Sequence, residues 1–338
     1  MGKTIAGAKA VILAGGGGER FWPLSTAKRP KQFLDVFGGE SLLRQTVSRL
    51  SGVFAPEDFF VVTSRSFVSV TRRELPEVPR ANIIGEPMRR DTGAAVALGV
   101  AAASAGCDGD PVLVFLPADQ MVSRPAAFRA AIRKAMAIAR KEPRIVTLGI
   151  SPDRAATEYG YVDPKKGRFV EKPPADKAAA YVKKGFLWNA GMFIARSSVF
   201  KKAFSDHAPG LMPVFDAAGG RRDASLRNLG ALYSSLPRVS FDYAVMEKLP
   251  RVEVVAADCG WDDVGGYGAF RRHFPVDANG NVVRGDCVLL DSSGNICVSN
   301  SVRVSILGVD NLVVVATRDG VLVVPKSRAS EIKRFFAK

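Results

Sequence analysis

Residues 10–20 read Ala10-Val11-Ile12-Leu13-Ala14-Gly15-Gly16-Gly17-Gly18-Glu19-Arg20, a short apolar run that empties into four glycines and a charged pair. Five apolar residues bounded by a turn signal predict a buried strand. Glycine has no Cβ, so the turn after it can take positive φ and let a ligand approach the backbone. Consecutive N–H groups in such a turn form a concavity that suits an anion. Alone, the turn is equally compatible with no ligand. It satisfies neither G-x-x-x-x-G-K-[ST] nor G-x-G-x-x-G, because Arg20 or Phe21 stands where the last glycine should be. A P-loop kinase and a dinucleotide oxidoreductase therefore lose their main support.

Working outward, Phe59–Thr63, Asn82–Ile84, Val112–Leu116 and Ile145–Leu148 are further apolar runs of strand length. Helical patterns lie between them, notably Thr92–Ala105 and Pro125–Lys141, the latter with proline at a helix start. Strand–helix alternation predicts an α/β fold, a Rossmann-like, mainly parallel sheet covered on both faces. Ligands bind such sheets beyond the carboxyl ends of the strands. Past residue 150 the pattern mixes strands (Gly160–Val162, Arg168–Glu171, Gly191–Ala195) with a helix at Lys177–Lys184. After Asp277 come short β-rich runs: Asn281–Val283, Cys287–Asp291, Ile296–Val298, Val302–Leu307, Leu312–Ala316 and Val321–Val324. Most are reached through Gly or Asn, as in a small sandwich, barrel or β-helix. A final amphipathic helix is expected at Ser327–Phe336. The change of texture predicts domains 1–276 and 277–338.

The chain has 338 residues, and 48 Lys plus Arg against 33 Asp plus Glu leave a formal charge of +15. That sign suits a nucleic acid or small anionic substrates. The cations come as scattered pairs (Arg72-Arg73, Lys165-Lys166, Lys183-Lys184, Arg271-Arg272) without a basic arm, which favours small anions and no nucleic acid. Cys107, Cys259, Cys287 and Cys297 show no C-x-x-C spacing, so a zinc cluster is not expected and free thiols are. The apolar stretch Ile5–Leu13 is too short to span a bilayer and is interrupted by Lys9. A cytoplasmic protein without a membrane partner is the expectation.

Beyond the turn, Arg20-Phe21-Trp22-Pro23-Leu24-Ser25 and Lys28-Arg29-Pro30-Lys31-Gln32-Phe33-Leu34 bring cations to fixed offsets from the glycines. A triphosphate needs backbone donors plus Lys or Arg charge. The stretch resembles the sugar nucleotidylyltransferase family, whose signature is L-A-G-G-x-G-x-R-x-x-P-L followed by Pro-Lys-Gln. The resemblance implies that Leu13, Ala14 and Gly15, Gly16, Gly17 and Gly18 cradle the nucleotide, while Arg20 and Lys31 hold its phosphates. The segment Glu86-Pro87-Met88-Arg89-Arg90-Asp91-Thr92-Gly93 is similar to the E-P-x-x-R-[DN]-T-A-P-A block of the guanylyltransferase branch acting on mannose 1-phosphate. Glu86 would accept from guanine N1–H and N2–H together; otherwise it is a loop carboxylate before proline. Arg90 or Asp91 would line the base pocket, and Thr92 would cap the following helix.

Leu116-Pro117-Ala118-Asp119 ends a strand, and Gly260-Trp261-Asp262-Asp263-Val264-Gly265 resembles G-W-[SN]-D-[VI]-G. By that likeness Asp119 and Asp263 bind Mg²⁺, although Gln120 stands where relatives usually carry His. Tyr159–Val162, Phe169–Pro173, Trp188–Phe193 and Phe241–Glu247 resemble the family's sugar blocks. They imply that Glu171 and Asn189 bind sugar hydroxyls, that Lys172 pairs with the sugar phosphate, that Gly160 allows close approach of the sugar, and that Asp242 supports this wall. Phe193 and Tyr243 read as core, and His207 and His273 fall outside every block. The tail Asn311–Val323 implies a left-handed β-helix-like cap and a homodimer. The implied reaction takes GTP and mannose 1-phosphate, with Mg²⁺, to a nucleotide sugar and diphosphate. A glucose-1-phosphate transferase using UTP or dTTP, or a catalytically silent sensing subunit, stays open.

Overall fold

The structure, a computed structural model, describes residues 7–218 and 229–336. Ile5 and Ala6 of the N-terminal apolar stretch lie outside them. Contacts divide the chain into two compact units, residues 1–15, 44–118 and 122–261 in the first, and 16–43, 119–121 and 262–338 in the second.

The first unit is built on one large sheet. Its strands are β1 (Ala8–Ala14), β2 (Phe59–Ser64), β3 (Ile83–Glu86), β4 (Val112–Pro117), β5 (Val146–Ile150), β6 (Tyr161–Val162), β7 (Phe169–Val170), β8 (Leu187–Arg196) and β9 (Glu253–Ala256). The order is β9-β5-β8-β4-β1-β2-β3, with β6 and β7 branching from β8. β1, β2, β3 and β4 run parallel, as do β9 and β5, whereas β8 is antiparallel to both neighbours. A doubly covered strand reads as a continuous apolar run in either direction, so the run in β8 carries no signal of its reversal.

Register decides where the chemistry lies. Ala14 pairs with Thr63 and Ser64 with Glu86, while Leu13 pairs with Pro117. Gly15, Glu86 and Ala118 thus lie at or just past the carboxyl ends of neighbouring strands of this sheet. Helix α1 (Asp91–Ser104) packs on β1, β2 and β4 and is buried almost all round, which its Gly and Ala residues permit. Helix α2 (Pro125–Lys141) buries Phe128, Ala131, Ile132, Ala135, Met136 and Ala139 on a single stripe of helical spacing.

In the second unit, β10 (Val282–Arg284), β12 (Ile296–Ser299) and β14 (Leu312–Thr317) stack in parallel, and β15 (Gly320–Pro325) closes the sheet antiparallel to β14. A second parallel pair joins β11 (Cys287–Leu290) to β13 (Val304–Leu307). This is β-helix-like stacking. Val282, Ile296 and Val313 form a buried column along the register. Asn281 Oδ1 accepts from Asn295 N at 2.9 Å, and Asn295 Oδ1 from Leu312 N at 2.8 Å, so the turn asparagines become an interior ladder. The helix expected at Ser327–Phe336 is present as Lys326–Phe335 and winds as a 3₁₀ helix. Ala329 and Ile332, three residues apart, both face the apolar core of this unit, the spacing that three residues per turn brings into line.

Candidate active site

The cations and carboxylates of the phosphate-binding reading meet in the second unit. Lys31 Nζ donates to Asp119 Oδ2 at 2.9 Å and to the Asp263 carbonyl at 2.7 Å. Arg20, Lys31, Asp119 and Asp263 line one cavity of about 350 Å³ with Gly17, Gly18, Gly265 and Lys333. Lys31 is buried, and Gly18 makes room for it. Gly18 stands at φ 65°, and a Cβ there would lie 2.3 Å from Lys31 Cβ. Of the four consecutive glycines only Gly18 is left-handed. Burial pushes the Asp263 carboxyl above its usual range; the Lys31 charge opposes this and the Asp119 charge adds to it.

Asp262, next in sequence, does something else. Its carboxylate accepts from Arg272 Nε at 2.6 Å and from Val264 N at 2.8 Å, and shares a hydrogen bond with His273 Nε2 at 2.7 Å. Burial would raise this carboxyl, but the hydrogen bonds from His273 and Arg272 outweigh it and hold it below the ordinary range. His273 therefore has a structural partner that the sequence motifs did not reveal. Gln120 is buried beside Asp119 in the chain.

In the first unit Glu86, at the carboxyl end of β3, is 7% exposed. Its Oε1 accepts from the Tyr233 hydroxyl at 3.3 Å, and its Oε2 lies 3.5 Å from where a Gly15 Cβ would be. Leu13 and Ala14 close β1 just before this turn, their carbonyls accepting from Ala118 N and Thr63 Oγ1. The Arg90 guanidinium donates to the carbonyls of Tyr233 and Ser234. Asp91 begins α1 at φ 64°, its Oδ1 accepting from Thr92 N at 2.8 Å. Thr92 does not cap the helix. It sits one residue inside α1, where its hydroxyl accepts from Phe241 N at 2.9 Å and ties the helix to the next sugar block.

That block meets the others in the same unit. Lys172 Nζ lies 3.1 Å from Glu171 Oε1, and Glu171 N donates to Glu247 Oε1 at 3.0 Å. Asn189 Nδ2 donates to Asp242 Oδ1 at 3.1 Å, while its Oδ1 accepts from Thr147 Oγ1 at 2.7 Å and Gly191 N at 3.1 Å. Asn189 thus keeps only one amide hydrogen for a sugar. A Cβ on Gly160 would fall 2.5 Å from Glu171 Oε2, so the carboxylate itself uses the space that glycine leaves. Burial and the Glu171 charge push the Asp242 carboxyl up to about 7. Phe193 is core, packed on Phe241 with centroids 5.0 Å apart, whereas Tyr243 is exposed.

Three of these contributors carry no legible sequence signal. Lys333 reads as one more surface charge of the tail, and Tyr233 and Thr147 as ordinary core positions, whereas Glu247 closes the Phe241–Glu247 block. Only folding brings them to the sites.

The Nucleotidyl transferase family profile matches residues 9–279, and the MannoseP isomerase/GMP-like beta-helix domain profile matches residues 285–338. The mannose-1-phosphate guanylyltransferase of Escherichia coli is 36% identical over 96% of this chain and 72% of its own length. The xanthan biosynthesis protein XanB of Xanthomonas campestris pv. campestris is also 36% identical, over 96% of this chain and 71% of its own. A crystal structure titled mannose-1-phosphate geranyltransferase, from Thermus thermophilus, superposes with a TM-score of 0.85 at 37% identity, covering 98% of both chains. With a family profile over most of its length and relatives of this kind along nearly all of it, the chain belongs to the nucleotidyl transferase family.

Proposed function

We propose that this protein is a mannose-1-phosphate guanylyltransferase, converting GTP and α-D-mannose 1-phosphate into GDP-mannose and diphosphate. The observation that carries the reading is the cation–carboxylate corner of Lys31, Asp119 and Asp263 beside the glycine turn, in a chain whose guanylyltransferase relatives align along 96% of it. Leu13 to Gly18 cradle the nucleotide, and Arg20 and Lys31 hold its β- and γ-phosphates. Glu86 reads guanine, with Arg90, Asp91 and Thr92 supporting its surroundings. Glu171 and Asn189 take sugar hydroxyls beside Gly160, Lys172 takes the sugar phosphate, and Asp242 orients Asn189.

An oxygen of the sugar phosphate attacks the α-phosphorus of GTP in line. The new P–O bond forms as the bond to the β-phosphate oxygen breaks and diphosphate departs. A phosphate dianion is already nucleophilic, so no side chain has to take a proton, and catalysis reduces to alignment and screening of charge. Asp119 and Asp263 would hold Mg²⁺. They fit it, since a hard cation accepts a few carboxylate oxygens and leaves the rest of its shell to water and substrate. The Lys31 ammonium, lodged against the Asp119 carboxylate and the Asp263 carbonyl, shows that this oxygen-lined space accommodates a positive charge. Once bound, Mg²⁺ supplies Lewis-acid screening of the phosphates.

The two-domain cut at residue 276 belongs to the same proposal, as do a cytoplasmic setting, no nucleic-acid or membrane partner, and a homodimer. Among the described residues no helix is long and apolar enough to cross a membrane, and the four cysteines are free. Exposed apolar side chains on β11, β13 and β15 (Val288, Leu290, Leu307, Val321 and Val323) support the dimer. A monomer in light scattering at micromolar concentration would remove that part.

A diphosphate-release assay over four NTPs and several sugar 1-phosphates tests the activity. GTP with mannose 1-phosphate is expected to give the highest kcat/KM. A preference for UTP or dTTP overturns the base assignment, and no turnover with any pair points to a silent subunit.

A further inference from the structure

We propose that the Tyr233 hydroxyl sets the base selectivity of the nucleotide site by holding Glu86 in its ionised, doubly accepting form. The inference rests on the reading of Glu86 as the guanine contact and goes beyond it by naming the group that keeps this contact in the right charge state.

The chemistry follows from donor counting. An ionised carboxylate offers two acceptors, the complement of guanine N1–H with N2–H. A protonated carboxyl offers one donor and one acceptor, the complement of adenine N1 with N6–H. One proton on Glu86 therefore turns a guanine reader into an adenine reader.

The structure puts that proton in question. Glu86 is buried at the end of β3, and burial disfavours its charge, pushing its carboxyl up to about 7. Among the described residues no cation compensates. Arg90, the nearby base in sequence, spends its guanidinium on the carbonyls of Tyr233 and Ser234. The glycine turn presents Gly15, and β2 presents Ser64 in register, neither of them titratable. Among the described residues Tyr233 is the one titratable group against the carboxyl, and its hydroxyl is the only donor to it. Tyr233 is itself fully buried, so its phenolic hydrogen needs an acceptor, and Glu86 Oε1 at 3.3 Å is the one present. A protonated Glu86 would still accept from this hydroxyl, but as a neutral carbonyl in place of a carboxylate, which is the weaker acceptor, so the bond favours the ionised form. Arg90 completes the device by pinning the helix Leu229–Ser235 that carries the tyrosine.

The sign is plain. Guanine reading grows as pH rises through the Glu86 titration, and removing the Tyr233 hydroxyl moves that titration upward. The test measures the GTP/ATP ratio of kcat/KM from pH 5.5 to 8.5 in the full-length protein, Tyr233→Phe and Glu86→Gln. Both nucleotides ionise alike at their phosphates, so the ratio isolates the base. In the unmodified protein the ratio should rise across neutrality. In Tyr233→Phe the rise should shift about one pH unit upward, so that the ratio is about tenfold lower at each pH and the variant at pH 8 matches the unmodified protein at pH 7. Glu86→Gln, a permanent one-donor, one-acceptor group, should give a low ratio that does not change with pH. If Glu86→Gln keeps the unmodified ratio, the guanine reading of Glu86 itself fails. If Glu86→Gln loses selectivity while Tyr233→Phe keeps the unmodified pH profile, the role of Tyr233 is overturned. A Tyr233→Phe ratio that does not rise with pH also overturns it, because a misplaced carboxylate would not read guanine whatever its charge.

Discussion

Asp263→Asn should lower turnover at millimolar Mg²⁺ by roughly a thousandfold, about 4 kcal/mol of transition-state stabilisation, and yet melt no earlier than the unmodified protein. Both halves follow from one environment. Asp263 lies in the corner with Asp119, where Lys31 donates to the Asp119 carboxylate and the Asp263 carbonyl and where the Asp263 carboxyl feels the charges of Lys31 and Asp119. A group whose folded pKa is raised gives up stability when it ionises, so at neutral pH its carboxylate is a burden in the ligand-free fold. An amide of the same shape removes that burden and also weakens the hold on a divalent cation. Asp119→Asn should behave similarly in turnover, and the double variant should be little worse than either single one, since both serve one ion. The measurement is the Mg²⁺ dependence of diphosphate release in all three variants, with thermal melts alongside. Full activity of Asp263→Asn at ordinary Mg²⁺ demand would place the second ligand elsewhere. Asp262 is a poor substitute, because Arg272, His273 and Val264 N already occupy its oxygens.

Lys31→Ala is expected to reduce kcat by two to three orders of magnitude, the scale of removing one preorganised charge donor, with KM for mannose 1-phosphate changed less than twofold. The ammonium is buried at the end of a side chain fixed between Gly18 and the Asp119–Asp263 corner, so water cannot replace it. Lys172→Ala should show the opposite emphasis, with KM for the sugar phosphate up about tenfold and kcat little affected, as for lost uniform binding. Lys172 is half-exposed and paired with Glu171, and it already stands at φ 42°, so alanine adds no new backbone strain. Steady-state kinetics with each substrate varied in turn separates the two. Identical profiles would contradict distinct phosphate and sugar-phosphate roles.

The alternation of apolar runs and helical patterns from residue 10 to residue 148 made the fold class legible, and residues 10–34 pointed to a class of ligand. An apolar run followed by glycines and then by Arg20 and Lys31 has one economical use, a strand delivering backbone donors and cations to phosphates. Strand and helix positions were legible for a related reason. Burial leaves a local mark, a continuous apolar run in β1, a small-residue apolar helix in α1 and an apolar stripe in α2. What periodicity does not carry is direction and partnership. The antiparallel entry of β8 was invisible, because a strand buried on both faces is apolar whichever way it runs. The 3₁₀ winding of Lys326–Phe335 was missed because an apolar pair three apart satisfies either helix. Partnership belongs to tertiary structure alone. Asp262 and Asp263 are adjacent and chemically identical, yet Arg272 and His273 lock one while the other meets Lys31. Thr92 looked like a cap until Phe241 N was found on its hydroxyl. Glu86 was readable as a carboxylate near a nucleotide, but its charge state depends on burial and on Tyr233, 147 residues away in the chain. Hydrogen bonds and desolvation depend on distance in space, and the chain sets that distance only by folding.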